Sequence, residues 1–250
     1  MRYDNDLKFL KKCNDSDLSV LVTILTMDSD GRKRYSEQLT KSELYKKHFP
    51  KHSKYWEEIA KELQKFGGNT LVNLLRKEGV TYREILIDIC DKYKVKYDKK
   101  ILTEEIEELF MLKIFESSLA QMTEEQRATF LREQGITSYG LTTPAIMTAV
   151  QTALKSSQLL NYKFSSLVSS IILKSLGQKG MVFGANAAAS RVATIVTGPI
   201  GMTLSGMWSI YEISNPAYRV TIPAVIEIIY LRNKVKTFKH KCKTFFRVWL

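Results

Sequence analysis

The sequence predicts an all-α fold, and three observations carry that prediction. Apolar residues recur at helical spacing along most of the 250 residues. Helix-start and helix-stop residues punctuate those runs. A hydrophobic content of 44% is ample for a core of ordinary density, so disorder is not the default.

Taken in order, Leu7, Phe9 and Leu10 open a first short helix. Asn14-Asp15-Ser16 caps a second, which carries Leu18, Val20, Leu21, Val22, Ile24 and Leu25 before Asp28-Ser29-Asp30-Gly31 ends it. Thr40 with Glu43, Thr81 with Glu84 and Thr123 with Gln126 have capping-box spacing: the hydroxyl accepts from a free helix amide and the acid or amide side chain reaches back. Gly67-Gly68, Gly79 and Gly135 fall where helix stops are expected, because glycine adopts the left-handed conformation at little cost. Amphipathic runs over 55–66, 82–93 and 106–119 lie between these signals. Together they define a charged multi-helical domain over residues 1–139.

At Thr143-Pro144 the texture changes, with proline suited to a first helical position and a following helix rich in Ala, Thr, Ser and Gln. Residues 140–250 form an apolar, basic helical region. No charge occurs over 192–211, a bilayer-spanning length, but Gly198-Pro199 interrupts it and Thr, Ser and Gly dilute it. The expectation is an apolar Gly-rich hairpin around 181–213, either interfacial or packed in a core. Pro223 then opens a terminal helix over 223–250, in which Leu231, Val235, Phe238, Cys242, Phe245 and Trp249 make one apolar stripe. Arg232, Lys236, Lys239, Lys243 and Arg247 flank it on one side, and Lys234 and Lys241 on the other. That is the pattern of a helix lying in a headgroup layer, with lysines snorkelling to phosphates, and also that of a core helix docked on the first domain or of a coiled-coil strand. Pro216-Ala217-Tyr218-Arg219 is expected to be a turn presenting Arg219 and Tyr218.

The formal charge of +12 divides unevenly. Residues 1–139 hold 25 Lys/Arg against 24 Asp/Glu, whereas residues 140–250 hold 13 against only Glu212 and Glu227, so the two parts carry +1 and +11. A segment so poor in acids should direct its positive field at an anionic partner. The three cysteines, Cys13, Cys90 and Cys242, are odd in number and widely spaced, which points to a reducing compartment and to no metal knuckle. The N-terminal residues lack a secretory pattern, so a cytoplasmic location is expected.

No phosphate-binding loop, nucleophile elbow, zinc-protease signature or dinucleotide fingerprint is present. His48 and His52 are four apart, but Pro50 between them argues against one helix presenting both. Glu84 and Asp88, near Cys90, lack the Glu-x-x-His partner of a di-metal bundle, and with Glu57 they are weak acid candidates. No catalytic residue, metal or cofactor is assigned.

The strings Asp6-Leu7-Lys8-Phe9-Leu10, Asp28-Ser29-Asp30-Gly31, Lys54-Tyr55-Trp56, Tyr82-Arg83-Glu84-Ile85-Leu86, Gly198-Pro199-Ile200-Gly201 and Pro216-Ala217-Tyr218-Arg219-Val220-Thr221-Ile222-Pro223-Ala224-Val225 resemble the bacterial YaaW family over nearly the whole length. That family has been linked with ubiquinol–cytochrome c chaperone-like proteins, so the resemblance implies a helical, membrane-proximal assembly factor. It supplies no catalytic residues.

The expected function is a non-enzymatic, chaperone-like or adaptor protein, peripheral on the inner face of the cytoplasmic membrane. Its contact residues would be Arg219, Arg232, Lys234, Lys236, Phe238, Lys239, Lys241, Lys243, Phe245, Arg247 and Trp249. The competing class is a soluble homo-oligomeric interaction module with the hairpin buried. Nucleic-acid binding ranks third, since no aromatic residues interleave the basic face.

Overall fold

A computed structural model describes residues 3–28, 31–67, 79–178 and 218–247. The fold is all-α, and among the described residues no strand forms; one isolated antiparallel bridge joins Met27 to Lys33. A 3-10 helix, η1 (Asn5–Lys12), leads into α1 (Asp15–Thr26). Then come η2 (Leu39–Lys41), α2 (Glu43–His48), η3 (His52–Tyr55) and α3 (Trp56–Gly67). The longer helices are α4 (Tyr82–Lys92), α5 (Thr103–Gln121), α6 (Glu124–Gln134), α7 (Thr143–Ser156), α8 (Gln158–Gln178) and α9 (Tyr218–Arg247). The hairpin expected at 181–213 lies outside the described residues, as do Pro216, Ala217 and Trp249.

Two of the three expected capping boxes form: Thr81 with Glu84 on α4 and Thr123 with Gln126 on α6. The third does not. Thr40 is bonded by Glu37, which accepts from both its amide and its hydroxyl, and α2 is capped instead by Ser42, whose side chain accepts from the Tyr45 amide. Ser42 is a better cap because its side chain sits one residue before Glu43 with extended backbone. Gly135 stops α6 in the left-handed conformation (φ 62°), as expected. Gly67 has a different reason to be glycine: a Cβ there would lie 2.3 Å from Cγ1 of Ile85, so it permits α3 and α4 to approach closely.

α9 is the organising element. It packs along α8 and also against η1, α1, α3 and α4. Val220, Ile222, Val225, Ile226, Ile228, Ile229 and Leu231 are all buried. Over residues 220–231 only Glu227 is charged, so the helix is apolar on every side, and such a helix belongs inside a core. Each buried Val, Leu or Ile contributes roughly 1.5–3 kcal/mol of transfer free energy. Pro223 does not open this helix but lies within it, leaving the carbonyl four residues back without its usual helical amide. The compositional change near residue 140 falls in the connection between α6 and α7, yet a single hydrophobic cluster joins Leu7, Leu21, Ile59 and Leu86 to Val225 and Ile229.

Candidate functional site

The cations of α9 were the sequence candidates, and the structure divides them. Arg232 is 6% exposed, in the middle of the molecule. Its Nε donates to Glu107 of α5 at 3.0–3.1 Å from the two carboxylate oxygens, and a terminal nitrogen donates to the Asp6 carbonyl at 2.8 Å. The guanidinium lies 4.5 Å from the Phe9 ring centroid. Tyr82 completes the group, its hydroxyl donating to Glu107 at 2.6 Å and its amide donating to Asp4 at 2.6 Å. Thr103 donates to Asp6 at 2.8 Å. Charges taken out of water need this density of partners, because an unpaired buried ion is strongly unfavourable.

Burial pushes the Glu107 carboxyl above its usual range, opposed by Arg232 and by the Tyr82 hydroxyl. Burial also pushes the Tyr82 hydroxyl up, reinforced by Glu107. Desolvation opposes the Arg232 charge, but the nearby carboxylates, Glu107 first, outweigh it and hold the guanidinium protonated.

Further along α9, Lys234 donates to Asp17 of α1 at 2.5 Å, and Lys236 bonds Glu104 of α5. Three of the seven cations expected to face lipid therefore meet acids supplied by the first half of the chain, Arg232 in the core, Lys234 half-buried and Lys236 at the surface. Arg219 is exposed at the start of the described helix. Phe238 is 51% exposed, its ring edge-on to Tyr162 with centroids 6.5 Å apart. Lys239, Lys241, Lys243, Phe245 and Arg247 continue the same helix, but their side chains lie outside the described residues.

Asp17, Glu104, Glu107 and Tyr82 were not among the sequence candidates. A signal existed for one of them: Glu107, Phe110, Met111 and Ile114 share one helix face, so an acid stands on the apolar stripe of α5. Arg232 occupies the matching position between Ile228 and Val235. A second buried acid, Glu227, accepts from the Ser169 hydroxyl at 2.8 Å and ties α9 to α8.

Beside the Glu107–Arg232 pair, α5, α8 and α9 enclose a cleft of about 210 Å³, with Glu104, Glu108 and Lys236 on its polar side and Met111, Phe164 and Ile229 on its apolar side. That is smaller than the usual range for pockets that enclose a drug-sized ligand. Among the described residues no group of three or more His, Cys, Asp or Glu could hold a metal ion. Glu84 is taken up by its capping box and Asp88 bonds Tyr218. Burial pushes the Cys90 thiol up to about 12, so it offers no thiolate. No described helix is long and apolar enough to cross a membrane.

Comparison with known proteins matches the description "Domain of unknown function (DUF3944)" to residues 1–35, the segment that forms η1 and α1. Over 236 residues the chain is 39% identical to a UPF0174 protein of Helicobacter pylori strain J99, covering 94% of this chain and 93% of that one. It is 33% identical to the UPF0174 protein YaaW of Escherichia coli K12, covering 93% and 95%. A UPF0174 protein of Helicobacter pylori strain 26695 is 32% identical, covering 80% and 99%. No solved structure matches. With such identity over nearly the full length of each relative, the chain belongs to the UPF0174 family, which includes YaaW.

Proposed function

We propose that this protein is a non-catalytic helical scaffold of chaperone or adaptor type, peripheral on the cytoplasmic face of the membrane. It would bind anionic lipid through the distal part of α9 and the residues that follow. The observation that carries the reading is the acid-free cationic run along α9. Its proximal cations neutralise Glu107, Asp17 and Glu104. From Ile228 to Leu250 the sequence contains no acid, and Lys239, Lys241, Lys243 and Arg247 stand among Phe238, Phe245 and Trp249. Basic residues flanking an aromatic stripe suit a headgroup layer.

The test is co-sedimentation with vesicles of phosphatidylglycerol and phosphatidylcholine. Each basic residue near such a surface contributes about 1 kcal/mol, so replacing all four by Gln should weaken binding about a hundredfold or more. Unchanged sedimentation of that variant would overturn the reading. Self-association without vesicle binding would replace it with an oligomeric interaction module.

A further inference from the structure

The corner formed by α2 and η3 carries an exposed basic surface that the overall charge balance of residues 1–139 conceals. Residues 41–54 contain Lys41, Lys46, Lys47, Lys51 and Lys54, and a single acid, Glu43. All five lysines are exposed. Glu43 engages Lys46 at 3.0 Å. Among the described residues Lys41, Lys47 and Lys54 have no carboxylate within ion-pair distance, and Lys51 feels Asp15 only at longer range. Within this basic surface stand two apolar side chains, Leu44 at 44% and Phe49 at 56% exposure.

The corner is built rather than loose. The Phe49 ring sits 5.1 Å from Tyr45 and 5.8 Å from His52, and both neighbours rest on Tyr55, which is fully buried. His52 and Tyr55 share a hydrogen bond of 2.5 Å. The Ser53 amide donates to Asp15 at 2.7 Å, pinning the corner to the start of α1. Ser42 caps α2, and the Phe49 and Lys51 amides donate to Tyr45 and His48 carbonyls. Exposing Leu44 and Phe49 on so well-braced a support brings no packing gain, whereas two exposed apolar tips close in sequence to five exposed lysines match the boundary between headgroups and acyl chains.

We propose that the α2–η3 corner is a docking surface for an anionic phospholipid bilayer, with Leu44 and Phe49 inserted and Lys41, Lys46, Lys47, Lys51 and Lys54 on the phosphates. Leu44 has no face on which a base could stack, and residues 41–54 expose only one aromatic ring, Phe49, which favours lipid over single-stranded nucleic acid. The surface shares its ligand class with the α9 tail proposed above but uses separate residues, so the two stand or fall separately. Acting together they would attach the chain at two points and raise avidity without new contacts at either.

The test places an environment-sensitive fluorophore on Leu44→Cys in a full-length Cys242→Ser chain; Cys13 and Cys90 are buried and escape labelling. Adding phosphatidylglycerol vesicles should shift the emission to the blue, and phosphatidylcholine vesicles should not. The shift should persist when Lys239, Lys241, Lys243 and Arg247 are all changed to Gln, which separates it from the tail. The triple variant Lys41→Gln, Lys47→Gln, Lys54→Gln should bind vesicles at least tenfold more weakly with an unchanged melting temperature. A chain that pellets with vesicles while the fluorophore stays unshifted would overturn the proposal. So would a shift produced by a single-stranded oligonucleotide and not by vesicles.

Discussion

Glu107 and Arg232 are 125 residues apart in sequence and meet inside the core, so each depends on the other for its charge. Removing one partner leaves a buried ion unpaired: Glu107→Gln or Arg232→Met should each cost about 3–5 kcal/mol. The double variant Glu107→Leu, Arg232→Met should recover much of that loss, and urea denaturation of the set checks it. His52 sets a pH dependence. Burial lowers its pKa from 6.5, against the pull of Asp15, so the folded chain holds it neutral while the unfolded chain takes up a proton first. The stability linked to it is complete above about 6.5 and is lost as pH falls through the window below. The melting temperature should therefore drop between pH 7 and pH 5, and His52→Phe should flatten that slope. The aromatic neighbours of His52 come from its own vicinity in sequence, whereas Asp15 is 37 residues upstream, which local pattern does not reveal.

At the scale of single elements, local chemistry was largely readable. The boxes at Thr81 and Thr123 and the stop at Gly135 follow from residues within four positions of one another, where helix termini are decided. Thr81→Ala and Thr123→Ala should each cost about 1 kcal/mol, and so should Ser42→Ala, the cap that displaces Thr40 at α2. Thermal unfolding of the three variants distinguishes this assignment from one in which Thr40 caps the helix. Thr40 was misread because its spacing to Glu43 is right while Glu37, on its other side, holds its amide and hydroxyl. α9 shows the limit of reading a helix by one stripe. The pattern from Leu231 to Trp249 is amphipathic, but the preceding turns are apolar all round, and it is these that bury the helix.

For the whole molecule, the placement of α9 joins the two halves of the chain into one core. Residues 1–139 expressed alone should show helical far-ultraviolet circular dichroism but no cooperative urea transition, because η1, α1, α3 and α4 would lose the apolar helix they pack around. A sharp transition would show that this segment completes a core of its own. The +11 of residues 140–250 is likewise reduced from within, since Asp17, Glu104 and Glu107 in the first half neutralise part of it. Composition alone, counted segment by segment, treats such charges as available to a partner.

The sequence by itself determined the helical class, most helix ends, the uneven charge and the family, because each depends on residue identities and short spacings. Only the tertiary structure decided which cations of α9 meet acids of the first half, that Pro223 lies inside the helix, and that Leu44, Phe49 and the lysines near them in sequence are exposed. The physical reason is that an ion pair such as Lys234–Asp17, spanning 217 residues, is set by how helices pack against one another, and helical periodicity specifies the face of each helix without naming the partner across from it.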